Sequence, residues 1–255
     1  MNPPNGSLYL IPNTLDLGTA AEASPITDVL PASVLRTAAR LTHWVAENAK
    51  TTRAFLKRVD AVVPLAQALQ AVQIVELPRP AKGARHAAAP DLAALLAPAL
   101  QGHDLGLISE AGLPAVADPG AALVQAAHAA GVPVVAMSGP NSLVLALAAS
   151  GLNGQSFAFV GYLPVDAAAR GARIRELEAL SRRAAQTQLM IETPYRNSAL
   201  LRALLGALAP ETWLSVSCGL TLSGGWTRSA RVAQWRQRSV ELPADVPAVF
   251  ALLAG

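Results

Sequence analysis

The sequence predicts an α/β protein of two lobes, an N-terminal lobe with a mostly parallel five-stranded sheet and a C-terminal lobe with a mixed sheet. In the first half, short apolar segments alternate with helical patterns, which is typical of a parallel sheet flanked by helices. In the second half the strand-like segments are longer and more widely spaced, which indicates a mixed sheet. We expect the boundary near SGPNS (138–142), with lobes of residues 1–138 and 139–255.

The first half supplies the five strands of the N-terminal lobe. They are expected at SLYLIP (7–12), THWVAEN (42–48), VQIVEL (72–77), DLGLIS (104–109) and VPVVAM (132–137). Helices are expected at 31–41, 51–59 and 91–100, and Pro98 should end or kink the last one because proline has no N–H to donate. The next helix should have Asp118 as its N-cap, Pro119 at its first position and Gly131 as its stop.

The second half opens with the aromatic-rich strand SFAFVGYLP (156–164). Further strands are expected at 186–193 and 213–222, and a terminal strand in VPAVFALLAG. Residues 170–184 form a charged amphipathic helix pattern, and a helix over 197–208 should start on an Asn/Ser cap.

Composition bounds the class of protein. Of the 255 residues 52% are hydrophobic and 15% charged, which indicates a well-packed globule. No apolar run reaches the roughly 18 residues of a membrane span, and the N-terminus lacks the basic and apolar regions of a signal peptide. A single cysteine, Cys218, excludes an internal disulfide and suits a reducing cytoplasm, and its spacing from the four histidines fits no zinc site.

The formal charge of +3 is weaker than that of a dedicated nucleic-acid binder. Two local clusters of basic residues can be interpreted as solvated helix faces or as phosphate-contacting surfaces. They are Lys50, Arg53, Lys57 and Arg58, and Arg170, Arg173, Arg175, Arg182 and Arg183.

Three loops should lie where ligands of open parallel sheets bind, at the carboxyl ends of the strands. They are PNTLDLG (12–18), SEAGLP (109–114) and SGPNS (138–142). Gly112 and Gly139 permit close backbone approach, and Asn141 or Ser142 can cap the helix that follows. The dinucleotide fingerprint, the Walker phosphate loop and the serine-hydrolase elbow are all missing from the sequence, so the residues alone indicate a small-molecule cleft without naming its ligand.

Five segments in the right order resemble motifs of the tetrapyrrole methylase superfamily of S-adenosylmethionine-dependent methyltransferases. ISEAGLPAVADPG is similar to its "SDAG-T-P-x-x-x-DPG" signature, and VVAMSGPNSLVLALAASGL to its "PGP" strand end and helix. SFAFVGYLP, LMIETPYRN and VAENAKTTRAFL are similar to its "F-x-GFLP", "FYES-x-HR" and "AEDTRHT" segments. Within the superfamily, the branch that methylates a ribose 2′-oxygen in small-subunit ribosomal RNA is the most similar.

The resemblance implies a cleft between the lobes that binds S-adenosylmethionine. The N-terminal contacts would be Leu15, Ser109, Glu110, Ala111, Gly112 and Pro114. The others would be Asn141, Ser142, Glu192, Thr193, Leu220 and Thr221. Glu192 has an equally weighted alternative as a surface carboxylate. Most members of the superfamily are homodimers, so Trp213, Trp226 and Trp235 are expected either at an interface or in the core.

Methyl transfer to a hydroxyl needs orientation and a base, and neither a metal nor a nucleophilic residue. Glu47, beside Lys50, is the expected base or positioning group, with the alternative that it is a charge favoured by the dipole of the next helix. Asn48 and Arg53 are expected to contact the substrate, and Lys50 and Arg53 would steer a polyanion.

Three functions follow: an RNA methyltransferase, a small-molecule methyltransferase acting on a tetrapyrrole-like acid, and a non-catalytic cofactor-binding protein. The second and third are suggested by Cys218, Gly219 and Leu222, which stand where the resemblance expects Arg, Glu and Lys.

Overall fold

The computed structural model of the chain describes residues 5–16, 24–78 and 92–255. By contacts the chain divides into two compact units, Met1–Pro140 and Asn141–Gly255. The expected lobe boundary after residue 138 remains a prediction. Among the described residues, no helix has the length and apolar character needed to cross a membrane.

The described part of the first unit forms a five-stranded sheet in which every pairing is parallel. The strands lie in the order β3-β2-β4-β1-β5. They are β1 (Leu8–Leu10), β2 (His43–Ala46), β3 (Gln73–Glu76), β4 (Leu105–Ile108) and β5 (Val134–Ala136). The predicted parallel sheet is therefore confirmed, and β1 lies between β4 and β5.

Helices cover both faces of this sheet. They are α1 (Ile26–Val29), α2 (Ala32–Arg40), α3 (Ala49–Asp60), α4 (Ala97–Leu100) and α5 (Ala121–Ala129). One apolar cluster joins α2 and α3 to Trp44 and Ile108, and another joins α5 to Leu105 and Leu107. Because strand side chains alternate in direction, β4 contributes to both clusters.

Two helix predictions in this unit were wrong in detail. The expected single helix over 91–100 is a 3₁₀ turn (Ala94–Leu96) followed by the short α4, and Asp91 lies outside the described residues. Pro98 stands in the first turn of α4, where its missing N–H costs no helical hydrogen bond.

The start of α5 also differs from the prediction. Its N-cap is Gly120, with φ of 130° and no side-chain cap, so Asp118 and Pro119 lie outside the helix. The Gly120 backbone turns the chain before the helix begins, and the Asp118 side chain hydrogen-bonds to Ser109 at the end of β4 instead. The predicted stop at Gly131 is confirmed. Gly131 directly follows Ala130, the C-cap of α5, and has a left-handed backbone with φ of 68°.

The second unit has a mixed five-stranded sheet, as predicted, in the order β6-β7-β10-β8-β9. β6 and β7 are parallel, and the remaining pairings are antiparallel. The strands are β6 (Phe157–Phe159), β7 (Thr187–Ile191), β8 (Trp213–Cys218), β9 (Trp226–Arg231) and β10 (Ala248–Leu253).

The helices of the second unit pack on alternating strand residues. They are α6 (Ser142–Ser150), α7 (Ala167–Ala184), α8 (Asn197–Ala207) and α9 (Val232–Trp235). α6 packs on Leu189 and Val249, whereas α7 and α8 pack with Met190 and Phe250 in a separate cluster. The first three of these helices hide the apolar positions of β7 and β10 on both faces of the sheet.

Caps and tryptophans in this unit give mixed outcomes. Asn141 caps α6 as predicted, because its side chain accepts a hydrogen bond from the Val144 amide. The expected Asn/Ser cap of α8 was wrong: Asn197 is the first helical residue, and its buried side chain donates to the Val246 carbonyl at 3.1 Å. Trp235 is a core residue that donates to the Leu214 carbonyl, whereas Trp213 is 37% exposed.

Candidate functional site

The three loops singled out from the sequence follow neighbouring strands of the first unit. Because β1 pairs with both β4 and β5, and all three run parallel, the segments after Leu10, Ile108 and Ala136 leave the same edge of the sheet. This edge is the side on which open α/β sheets bind ligands.

The loops after β1 and β4 are joined into one structure by Asn13. Its backbone forms a two-way bridge with Gly112, with N···O distances of 2.9 and 3.2 Å. Its side-chain nitrogen donates to the carbonyls of Ser109 and Glu110 at 3.2 and 2.9 Å. Asn13 is 6% exposed, so these bonds satisfy a buried amide and fix both loops together. Asn13 was not among the site residues predicted from the sequence. The only local indication of its role is that it is a polar residue near the end of a strand.

Two glycines allow the three loops to approach this closely. Gly112 has φ of 66°, and a Cβ added there would lie 3.3 Å from Leu15 Cδ2 and 3.6 Å from the Pro140 carbonyl oxygen. A Cβ on Gly139 would lie 2.2 Å from the Cβ of Pro12, closer than two such atoms can approach. A side chain is therefore excluded at Gly139, and at Gly112 it is disfavoured by the left-handed backbone and the close Leu15 side chain.

The β4 loop itself is strained and partly buried. Pro114 is buried, and Ala115 and Ala117 both adopt left-handed backbone with φ of 67° and 63°. The Ser109 hydroxyl donates to the Ala111 carbonyl at 3.1 Å. Alanine in this conformation costs free energy that the surrounding contacts must offset, and such strain is concentrated at functional sites.

Glu47, the expected base or positioning group, reaches this loop. One of its carboxylate oxygens accepts a hydrogen bond from the Glu110 amide at 3.0 Å. The carboxylate therefore contacts the β4 loop across the sheet edge and makes no capping bond to α3, whose N-cap is Asn48. Its expected catalytic role remains a prediction.

A third carboxylate, that of Asp118, completes an acidic group with Glu47 and Glu110. The pKa of Asp118 is raised to about 6, chiefly by burial and also by the negative charges of Glu47 and Glu110. A hydrogen bond with Ser109 acts in the opposite direction and lowers the pKa. The sequence reasoning assigned Asp118 only a capping role, so this titratable group was missed. Its pKa lies where a carboxyl group can exchange a proton near neutral pH.

The predicted substrate residues lie at the start of α3. The Asn48 side-chain oxygen accepts hydrogen bonds from the Lys50 and Thr51 amides at 2.9 and 3.4 Å, so Asn48 is the N-cap of α3. Lys50 and Arg53 are exposed, and the Arg53 guanidinium reaches back to the Ala49 carbonyl. The cap fixes Asn48, while the two cations face solvent.

Two cavities flank these residues. One, of about 560 Å³, is lined by the acids Glu47 and Glu110 and by apolar side chains that include Leu77 and Leu123. The second, of about 390 Å³, contains Asn13, Lys50 and Arg58. Asn48 and Glu110 line both cavities.

Arg58, predicted only as part of a basic cluster, instead anchors the β1 loop. Its guanidinium donates to the Thr14 hydroxyl at 3.1 Å, to Asp16 at 3.0 Å and to the Ser24 carbonyl at 3.2 Å. Asp16 is 6% exposed, whereas the Arg58 side chain that pairs with it is 29% exposed. Arg58 therefore acts within the fold and is less available to phosphate than the exposed Lys50.

In the second unit, Glu192 is not the surface carboxylate of the alternative interpretation. It is 6% exposed, pairs with Arg196 and accepts from the Thr193 amide at 2.8 Å. Burial would raise its pKa, but hydrogen bonds from Arg196 and Thr193 and the charge of Arg196 leave the pKa below its ordinary value.

The other predicted contacts in this unit lie at the ends of α6 and β8. Asn141 and Ser142 begin α6, and the exposed Thr221 has a left-handed backbone with φ of 68°. Leu220 packs against the same apolar cluster as Ile191, the last residue of β7. The structure thus groups the predicted residues in two sets, one in each unit.

The described residues contain no group of three or more His, Cys, Asp and Glu side chains that could hold a metal ion.

The chain is similar to known proteins in sequence and in fold. No family model matches the chain. Ribosomal RNA small subunit methyltransferase I of Vibrio cholerae is 38% identical over 122 residues, which is 48% of this chain and 41% of that protein. The protein of the same name from Mesorhizobium japonicum is 40% identical over 127 residues, 50% of this chain and 42% of that protein. The matches thus span less than half the length of these curated relatives.

Solved structures match over nearly the whole chain. The uroporphyrin-III-C-methyltransferase from Thermus thermophilus has a TM-score of 0.52 at 22% identity, covering 97% of this chain and 94% of that one. The methyltransferase CobJ has a TM-score of 0.54 at 15% identity, covering 98% and 95%. These matches confirm the predicted resemblance: the chain has the fold of the tetrapyrrole methyltransferases, and about half of it is similar in sequence to ribosomal RNA small subunit methyltransferase I.

Proposed function

We propose that the chain is an S-adenosylmethionine-dependent methyltransferase and that its methyl acceptor is RNA, by resemblance a ribose 2′-oxygen of ribosomal RNA. The names of the curated relatives and the fold shared with methyltransferases support this proposal. The observation that carries it is the loop structure in which Asn13 and Gly112 hold each other beside Leu15.

The residues fit a ligand held mainly by backbone groups. Gly112 and Gly139 keep side chains out of the place where the loops meet, and a Cβ on Gly112 would fill space beside Leu15. Leu15, Ser109–Gly112 and Pro114 would hold the donor in the first unit. Asn141, Ser142, Glu192, Thr193, Leu220 and Thr221 would hold it in the second. When bound, S-adenosylmethionine supplies a methyl group that is activated by its sulfonium for in-line displacement.

The side chains of this chain would mainly orient the reactants, since alignment alone is worth effective molarities of about 10⁵ M or more. We propose that Glu47 is a positioning group or base, and its bond to the Glu110 amide favours positioning. Asp118, with a pKa of about 6, is a second group that can accept a hydroxyl proton near neutral pH. Lys50 and Arg53, exposed on α3, would attract the polyanionic RNA, and Asn48, the N-cap of the same helix, would contact it.

Calorimetric titration with S-adenosylmethionine and its demethylated product tests the shared premise. We expect saturable binding by the natural chain and at least about tenfold weaker binding by Gly112→Val, because the larger side chain collides with Leu15. Gly154→Ala is the matched control, since a Cβ there meets no atom within 4 Å. No saturable binding by the natural chain would refute the proposal.

Transfer of a labelled methyl group identifies the acceptor. The substrates are deproteinised RNA, intact small ribosomal subunits and a metabolite extract, and we expect label in one of the two RNA samples. Label in the metabolite extract alone would favour the second candidate, a small-molecule methyltransferase, which the uroporphyrin-III methyltransferase neighbour and the modest charge of +3 support. Donor binding without transfer to any sample would favour a non-catalytic protein.

We also propose that the protein is a cytoplasmic homodimer. The ribosomal RNA named for the relatives supports the compartment, and the exposed Trp213 supports an apolar interface. Sedimentation of the purified chain tests the dimer, and a monomer at about 10 μM would contradict it.

A further inference from the structure

Two exposed tyrosines lie at one edge of the second sheet. Tyr162 follows β6 and is 58% exposed, and Tyr195 follows β7 and is 71% exposed. Because β6 and β7 are parallel and paired, the segments that carry the two rings leave the same edge. Large aromatic side chains exposed to this extent lose the free energy that burial would supply, so two of them together indicate a binding surface.

The Arg196 guanidinium belongs to the segment after β7, next to Tyr195, and the Ile191 amide ties the end of β7 to the carbonyl of Gly161, the residue before Tyr162, at 3.3 Å. The pKa of Arg196 is raised chiefly by its hydrogen bond to Glu192 and also by the phenols of Tyr195 and Tyr162, which are near enough to interact with it electrostatically. The Glu192 ion pair holds the guanidinium in place, and its Nε is buried without a hydrogen-bond partner. The three side chains therefore form a group with a fixed cation and two rings.

The surrounding loop adds one guanidinium and one carboxylate. Arg170 donates to the Val165 carbonyl at 3.1 Å, which brings a second guanidinium to the segment after Tyr162. The nearest acids on these segments are already engaged: Glu192 by Arg196, and Asp166 by the Ala169 amide that it caps. The formal charges of Arg170 and Arg196 thus balance those of Asp166 and Glu192, so the surface carries no net negative charge that would repel a polyanion.

We propose that Tyr162, Tyr195 and Arg196 form a platform on which bases of single-stranded RNA stack. Every base has an aromatic face, so exposed tyrosines beside an arginine bind single strands with little regard to sequence. Glu192 and Thr193, proposed as contacts of the methyl donor, lie three and two positions before Tyr195. A strand held on the platform would therefore run beside these proposed donor contacts of the second unit. This inference rests on the proposed RNA acceptor and names the surface that recognises it.

Fluorescence anisotropy with a labelled single-stranded RNA of about 12 nucleotides measures the platform. Tyr195→Leu and Tyr162→Leu should each weaken binding at least about fivefold, whereas Tyr195→Phe and Tyr162→Phe should bind as the natural chain does because a phenyl ring also stacks. The matched control is Phe157→Leu. Phe157 is a 46% exposed ring at the opposite end of β6, so its loss should leave RNA affinity unchanged.

The outcomes separate the platform from the proposed function. Unchanged RNA affinity in both Leu variants, or equal loss in Phe157→Leu, overturns the platform even if calorimetry shows donor binding. If the Leu variants instead change only the sedimentation of the chain, the surface is a protein interface and the platform is also overturned. Loss of RNA affinity in the Leu variants with unchanged donor affinity supports it. Failure of the natural chain to bind the donor refutes the proposed function and leaves the RNA measurement valid.

Discussion

Asp118 offers a direct test of the electrostatics at the β4 loop. Its pKa in the folded chain is about 6, raised from an ordinary value of 3.8 by burial and by the neighbouring charge of Glu47. The folded state therefore holds this proton more tightly than the unfolded chain, so ionisation costs stability as the pH rises from about 4 to 6. Above pH 6 the full cost is present, and it corresponds to at most about 3 kcal/mol.

Asp118→Asn removes that cost while keeping a side-chain oxygen for Ser109. We expect its free energy of unfolding to exceed that of the natural chain by roughly 1–3 kcal/mol at about pH 8. The difference in the free energy of unfolding between the two chains should shrink to about a third at pH 4.5. At this pH the ionisation of Asp118 stabilises the unfolded chain much less than at about pH 8.

Urea unfolding followed by circular dichroism at the two pH values measures both differences. Asp28→Asn is the control, since Asp28 is an exposed carboxylate of the same unit, and it should change stability by less than about 1 kcal/mol at either pH. A variant at Asp118 that gains no stability at about pH 8, or gains the same amount at both pH values, would refute the reasoning.

Three further substitutions test neighbouring contacts. Glu47→Gln should lower the pKa of Asp118, because one of the charges that raises it is removed, and a nuclear magnetic resonance titration of the Asp118 carboxyl carbon would detect an unchanged pKa as a contradiction. Arg58→Ala should destabilise the chain by about 1–3 kcal/mol by depriving the buried Asp16 of its guanidinium, and urea unfolding equal to that of the natural chain would count against this role. Asn13→Ala should have a cost of the same size and should also weaken donor binding in calorimetry, because the carbonyls of the β4 loop lose their shared donor; unaltered donor affinity would contradict the proposed site.

Much of the fold could be read from local patterns. Strand–helix alternation predicted the five parallel strands of the first unit. The spacing of apolar residues in each segment indicates whether it is a strand or a helix and which residues it buries. The cap at Asn141 was also predictable, because capping depends on a residue and the amides two or three positions later. The cap at Asp118 failed because the backbone of Gly120 moves the helix start beyond it.

The site contacts could not be read in the same way. Asn13 binds the Glu110 carbonyl 97 positions along the chain, and Glu47 binds the Glu110 amide 63 positions away. These residues become neighbours only because β4 lies between β2 and β1 in the sheet. Strand order depends on how whole elements pack, and no short motif encodes it.

The sequence by itself determined the class of fold, the loops that carry the candidate site and the superfamily that the chain resembles. Only the tertiary structure decided which side chains make the contacts of those loops. Asn13 bridges the β1 and β4 loops, Arg58 anchors the β1 loop from within the fold, and Asp118 is a titratable acid. The physical reason is that hydrophobic periodicity and turn residues act within one or two turns of chain. Burial, ion pairing and pKa depend on groups that the fold brings together from distant positions.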